Sequence, residues 1–347
     1  MKERKSNLEL LRIVAILMVL TVHYLLHMRY SQGSDISLYY NKSNYNLMCI
    51  LESFCIIGVN LFILITGYFM INKNKVNINK VVKLIFSCSF YSIVFLAIAV
   101  KMNITDLSIK ELIKASISFL TCESYWFIKL YCVLFCLIPF INMGLNKMNK
   151  NTYRSLIIIL FIIFPISTSF LPYFFSSGQG YDIVHFVFMY CIGGYLRLHF
   201  DSKGKFKWLF GYILCSGIAS ILSIHPFPPY KVIYEIWGYD YIFNILSAIC
   251  LFIFFTKINI QSKFINIISS TVLGVYLIHG NDFVTPIIYK NVGLYWDSNM
   301  FIFNLVIRIV MVFCVCSLIE LIKEFIFNKT IYKLIDKFKI FNIYLGE

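Results

Sequence analysis

Charge is scarce in this chain. Asp, Glu, Lys and Arg make up 14% of its 347 residues, against 59% hydrophobic ones and a mean hydropathy of +0.77. A soluble domain needs roughly 25% charged residues to cover its surface, so an ordinary soluble fold is excluded. Acidic residues are scarcer than basic ones, 17 against 31, leaving a net charge of +14. That excess would suit nucleic acid if it were gathered. Instead, Lys and Arg lie in short clusters between apolar runs, as in cytoplasmic loops facing anionic lipid, and no nucleic-acid partner is expected. Only 16 glycines are present, with no Gly-rich nucleotide loop, no Gly-Ser linker and no visible repeat. The eleven cysteines are odd in number, lack a CxxC and have no neighbouring His. A disulfide framework or metal centre is therefore not expected, and Cys88, Cys132, Cys136, Cys250 and Cys314 read as small hydrophobes inside apolar runs.

What is abundant is apolar sequence. About ten runs reach the roughly 20 residues a bilayer requires. They lie near 8–28, 46–71, 81–100, 125–145, 153–173, 181–199, 206–223, 240–257, 264–288 and 299–323. The first follows Met1–Lys5 without a small-residue cleavage pattern and reads as a retained span, not a signal peptide. Alternate connecting segments are basic: Lys2 to Lys5, Lys73 to Lys83, Lys147 to Arg154, Arg197 to Lys207, Lys257 with Lys263, and Lys329 to Lys339. The intervening segments are nearly neutral, as where Lys290 stands against Asp282 and Asp297. By the positive-inside rule both termini are cytoplasmic, and one span more or fewer would break the alternation. The expected fold is thus all-α: a polytopic transmembrane helix bundle, one membrane domain over residues 1–347, in the cytoplasmic (cell) membrane. Two short amphipathic helices should lie on the bilayer surface, one with Leu107, Ile109, Leu112, Ile113 and Ile117, the other with Ile331, Leu334, Ile335, Phe338 and Phe341.

Ionisable groups inside spans cost about 2.5–3.5 kcal/mol each on insertion scales, so each needs a reason. Arg12, His23, Glu52, Lys129, His279 and Arg308 are the clearest cases. Arg12 and His23 are eleven residues apart, which places them on one helix face about 16 Å from each other. Two readings fit this pair. Either Arg12 snorkels and His23 makes one hydrogen bond in the bundle, or both belong to a site. His279 falls at a depth like that of His23, and Glu52 several residues below the outer surface, so the three can share one layer. Arg308 is too deep to snorkel easily and is expected to answer a carboxylate, Glu52 being the one plainly intramembrane. Lys129 follows Trp126 at helical spacing and can snorkel outward. His27, His185 and His199 sit near span ends and need no function.

At this point the residues resemble a known family. Asn7-Leu8-Glu9-Leu10-Leu11-Arg12, with His23 completing R-x10-H, is similar to the signature of membrane acyltransferase family 3, which includes O-antigen and capsule O-acetyltransferases. Gly58 to Phe69 resembles its second-helix motif, with Thr66 where serine is more usual. Tyr125-Trp126-Phe127-Ile128-Lys129-Leu130-Tyr131 with Pro139 to Asn142, Ile192-Gly193-Gly194-Tyr195-Leu196-Arg197, and Leu273-Gly274-Val275-Tyr276-Leu277-Ile278-His279 follow in order.

The resemblance implies a stand-alone acyltransferase using an acyl-CoA co-substrate, usually acetyl-CoA, with no permanently bound cofactor. It also implies a hydroxyl acceptor on a cell-surface polysaccharide or its lipid-linked precursor. Arg12 and Arg197 would hold the donor's phosphates. His23 would act as general base or carry the acyl group transiently. Glu52 would orient the His23 ring, and His279 or Lys129 would stabilise the oxyanion. Trp126, Tyr131, Asn60 and Arg308 would support the site or the acceptor side. The rival from another class is an exporter or flippase of a glycan intermediate, without acyl chemistry. A sensor or scaffold held together by polar residues is the third reading.

Overall fold

A computed structural model describes residues 5–31, 43–170, 178–225, 236–337 and 343–346. In order, the principal helices are α1 (Ser6–Tyr30), α2 (Tyr45–Cys55), α3 (Gly58–Met70), α4 (Asn79–Lys101), α5 (Ile109–Ser116), α6 (Trp126–Leu145), α7 (Lys150–Phe161), α8 (Ile183–Leu198), α9 (Phe206–Ile224), α10 (Ile242–Thr256), α11 (Lys263–Ser269), α12 (Val272–His279), α13 (Phe301–Lys329) and α14 (Ile331–Lys337). The strands among the described residues are β1 (Val76–Asn77) and β2 (Tyr344–Leu345), paired antiparallel with Val76 opposite Leu345.

Among the described residues, seven helices are long and apolar enough to cross a membrane: Ser6–Tyr30, Tyr45–Met70, Asn79–Lys101, Glu123–Leu145, Lys150–Phe170, Phe206–Ile224 and Phe301–Lys329. Three shorter apolar helices, Ile183–Leu198, Ile242–Thr256 and Lys263–His279, fall within the other expected runs. The run expected at 264–288 stops at His279. A turn at Ser270–Thr271 divides it, and Gly280 and Asn281 end it. Pro165 is accommodated by a π turn over Ile162–Ile166, which keeps the helix of α7 continuous to Phe170.

The described chain forms two compact units. The first comprises residues 1–71, 147–270 and 291–310; the second comprises 72–146, 271–290 and 311–347. In the first, α3 packs on α8 where two glycines meet. A Cβ on Gly67 would lie 2.3 Å from the Tyr190 carbonyl oxygen, and one on Gly193 would lie 2.5 Å from that of Leu64. Without a hydrophobic driving force between helices in lipid, such close backbone approach is what holds them. Hydrogen bonds at one end of this unit join the start of α1 to the end of α10 and, through Ser262 and Ser269, to both ends of α11. At the other end, Asn44 meets Trp296, Tyr45 meets Ser223, and Tyr239 meets Gln179. These pairings join segments that the charge alternation assigns to one side.

In the second unit, α14 packs on α4, with Tyr332 and Ile335 buried beside Phe327, Val82 and Phe90. Asp336 accepts from Asn79 Nδ2 at 2.6 Å and Lys83 Nζ at 2.8 Å. The surface helix expected here therefore commits half of its apolar face to protein, with Leu334 exposed. Phe338 and Phe341 lie outside the described residues. In α5, capped by the Ser108 hydroxyl on the Glu111 N–H, Ile109, Leu112 and Ile113 are all exposed.

Candidate active site

The Asn7–Arg12 motif is built into the first unit residue by residue. Asn7 Nδ2 donates at 2.8 Å to the Phe255 carbonyl in the last turn of α10, which also accepts the Ile258 N–H at 3.2 Å. Glu9 is buried; it accepts the Ser269 hydroxyl and, at 3.0 and 2.9 Å, Nη1 of Arg12 one turn on. Arg12 is thus held by its own helix yet stays about a third exposed, at 34%, with its guanidinium carbon 5.8 Å from the centre of the Phe69 ring. Arg197, in the last turn of α8, donates to the Tyr68 hydroxyl at 3.1 Å and lies 4.9 Å from that ring. Lys5 Nζ stands 5.5 Å from the same ring. Tyr68 and Phe69 are 5.7 Å apart, so Arg12 and Arg197 meet adjoining rings. Lys5 and Tyr68 were not among the residues singled out from sequence.

Further along α1, His23 is half-buried. One residue on, the Tyr24 hydroxyl donates to Asn304 Oδ1 at 2.7 Å. The expected pairing of Arg308 with Glu52 is corrected. Glu52 pairs with Arg29, at 3.5 Å from both Nη1 and Nη2, and both side chains are buried. Arg29 looked like a loop charge because the first run was expected to end at residue 28; α1 continues through Tyr30 and carries it inward. The indole of Trp237 lies 4.6 Å from the guanidinium, a cation–π contact that shares its desolvation cost. Asn60 is fully buried, with Nδ2 donating to the Tyr239 carbonyl and Oδ1 accepting from His185 Nε2, both at 2.8 Å. A carbonyl only accepts, which fixes the amide's orientation and makes the imidazole the donor. His185, read from sequence as an interfacial residue, is therefore a buried partner of Asn60.

The second unit carries His279, Trp126, Lys129 and Tyr131. His279 is fully buried, and Nδ1 donates to the Val275 carbonyl at 2.6 Å, so a neutral ring keeps its lone pair on Nε2. A row of rings runs from Tyr131 through Phe127 and Tyr276 to His279, at centroid spacings of 5.9 Å. Trp126 is 6.1 Å from Phe127, and Lys129 is half-buried on α6. Asn281 donates to Ser92 and Tyr125, and Tyr125 to the Leu277 carbonyl, which fixes the end of α12. The Cys122 thiol donates to Asp282. Burial, reinforced by that carboxylate, pushes the thiol up to about 12, so it is protonated at neutral pH and no nucleophile.

A buried cluster in this unit was missed. Lys323 Nζ bridges Glu320 at 2.8 Å and Glu324 at 3.0 Å; Tyr91 donates to Glu320, and Tyr332 contacts Ser87 and Glu324. A Cβ on Gly274 would lie 2.3 Å from a Glu320 oxygen, so the glycine of the His279 helix makes room for the carboxylate. The available signal was the spacing of Glu320, Lys323 and Glu324 on one helix face.

An apolar helical chain of this kind, with seven helices among the described residues long enough to cross a bilayer, belongs among membrane-spanning proteins. A family model described as an acyltransferase domain, that of acyltransferase family 3, matches residues 5–321, and the chain belongs to that family. It is an acyltransferase of a membrane-spanning kind. No curated protein and no solved structure gives a match.

Proposed function

We propose that this protein moves an acetyl group from acetyl-CoA to a hydroxyl of a cell-surface polysaccharide or its lipid-linked precursor. It would do so from the cytoplasmic membrane, with about ten spans and both termini in the cytoplasm. The observation that carries the reading is the meeting of Arg12 and Arg197 on the adjoining rings of Phe69 and Tyr68, with His23 about 16 Å further along the helix of Arg12. That spacing suits a donor with phosphates at one end and a thioester at the end of a flexible arm. His23 then takes the proton of the acceptor hydroxyl. The oxygen attacks the thioester carbon, the C–S bond breaks, and the departing thiolate receives the proton. A transient acyl-histidine is the covalent variant of the same step.

Glu52 serves this reading through Arg29, fixing the outer part of α1 on which His23 stands. Asn60 acts on the acceptor side by holding the Tyr239 backbone. Arg308 remains a supporting candidate. Trp126, Lys129 and Tyr131 remain acceptor- or oxyanion-side candidates. With Nδ1–H engaged by Val275, a neutral His279 offers a second base in place of an oxyanion donor.

The test is purified protein given acetyl-CoA with and without acceptor glycan, following free thiol and glycan acetyl content. Acceptor-dependent thiol release that is lost in His23→Ala supports the reading. No release at all overturns it in favour of an exporter.

A further inference from the structure

The helix that carries His279 is short. Val272–His279 makes about two turns, divided from α11 at Ser270–Thr271 and ended by Gly280. A helix of that length does not hold its own place, so its partners set it. The partners described here all belong to the second unit. Beyond the end of α12, Asn281 donates to the Ser92 hydroxyl and to Tyr125, and Tyr125 donates to the Leu277 carbonyl. At its start, the Thr271 hydroxyl donates to that of Ser317 at 2.9 Å. One turn on, Gly274 lies against Glu320, where even the Cβ of the glutamate would be 2.5 Å from a Cβ on the glycine. Glu320 is 1% exposed and is held at both oxygens: Tyr91 donates to one and Lys323 Nζ to the other, the latter at 2.8 Å. Tyr91 and Ser92 are consecutive on α4, so one dipeptide steadies both ends of α12.

Charge pairing alone does not account for Glu320. Lys323 already has Glu324 at 3.0 Å, a carboxylate whose side chain is 31% exposed, whereas that of Glu320 is 2% exposed. A second, deeper carboxylate on the same ammonium adds a desolvation cost that an apolar side chain would avoid. What sets Glu320 apart is its place against Gly274. The next residue, Val275, supplies the carbonyl that takes His279 Nδ1–H at 2.6 Å. We infer that Glu320 is a positioning residue for His279. Locked by Tyr91 and Lys323, it sets the backbone at Gly274 and Val275. The Val275 carbonyl in turn fixes the tautomer and direction of the imidazole, with the lone pair on Nε2. This rests on the proposed role of His279 as a second base and extends it to a residue on α13. Displacing a reacting group by about 1 Å can cost about 10²-fold in rate.

The experiment uses the full-length protein in lipid nanodiscs, given acetyl-CoA and acceptor glycan, with isotopically labelled histidine whose imidazole nitrogen shifts report the tautomer. The His279 signal is assigned by its loss in His279→Asn. Glu320→Ala should let that ring exchange between tautomers and lower kcat about tenfold to 10²-fold, with KM for acetyl-CoA within about twofold of the parent. Glu320→Gln, which keeps the volume against Gly274, should restore most of kcat and the single tautomer. Glu324→Gln, which removes the other carboxylate of Lys323, should leave both at parental values. Tyr91→Phe keeps the ring but loses one bond to Glu320, and should shift both readouts in the direction of Glu320→Ala. It decides the matter if the alanine variant does not accumulate. Parental kcat with an unmoved His279 signal in Glu320→Ala, or in Tyr91→Phe where that variant stands in, overturns the positioning role. A Glu324→Gln protein changed as much as Glu320→Ala does the same. A signal that moves in Glu320→Ala while His279→Asn transfers acetyl normally keeps the positioning and overturns the base role. No transfer by the parent, with the signal still moving, overturns the acyl-transfer reading alone.

Discussion

Replacing Glu52 by Gln would take the buried carboxylate partner from the Arg29 guanidinium in the interior of the first unit. The two side chains are 5% and 2% exposed, so water cannot replace the lost partner. Removing one member of such a pair costs about 3–5 kcal/mol, because the remaining charge stays buried without its counter-charge. The 3.5 Å separation is longer than the roughly 2.7–2.9 Å of a tight charge-assisted bond, and the Trp237 ring stays at 4.6 Å, which places this pair at the lower end, about 3 kcal/mol. At about 2–4 °C per kcal/mol for a unit of this size, Glu52→Gln should lower the melting temperature in nanodiscs by about 6–12 °C. The double variant Arg29→Met, Glu52→Leu removes both charges and keeps the volume. It should recover most of that loss, to within about 1 kcal/mol of the parent. Intrinsic tryptophan fluorescence follows the melt, and abundance in the membrane checks insertion. A Glu52→Gln protein melting within about 2 °C of the parent, or a double variant less stable than the single one, would refute the ion-pair argument.

Three further outcomes are expected. His23→Ala should lower glycan acetylation by about 10²–10⁴, the worth of a general base, at normal membrane abundance; near-normal acetylation would move the base to His279. Gly67→Ala sets a methyl group 2.3 Å from the Tyr190 carbonyl oxygen. It should force α3 from α8, reducing thermal stability and, through the neighbouring Tyr68, raising donor KM; a variant matching the parent in both would sink the packing argument. A cysteine placed at Lys75 should resist impermeant maleimide in intact cells and react in inside-out vesicles, whereas labelling from outside would reverse the topology.

Apolar run length and charge alternation located the helices, because bilayer thickness and lipid charge act on composition alone. Arg12 and Arg197 were grouped from sequence because both lie at the basic ends of their runs, and the structure sets them on adjoining rings. Misreadings occur where a charge near a helix end has a specific partner. Arg29 resembles a loop residue until Glu52 is placed beside it, and Lys323 went unread until Glu320 was. His185 and Lys5 escaped because their roles depend on Asn60 and Tyr68, carried on another helix. The early end of α12 follows from bonds made by Asn281 to Ser92 and Tyr125, which no local propensity encodes.

The bonds that fasten the first turn of α1 also constrain how this protein is made. Glu9 and Asn7 find their partners, Ser269 and Phe255, some 250 residues later in the chain, and Tyr24 finds Asn304 later still. At about 5–20 residues per second, the ribosome needs roughly 12–50 s to supply them after α1 has emerged. Through that interval the first helix waits in the membrane with its carboxylate shared with Arg12 alone. A chain cut short after α9 would leave it so permanently.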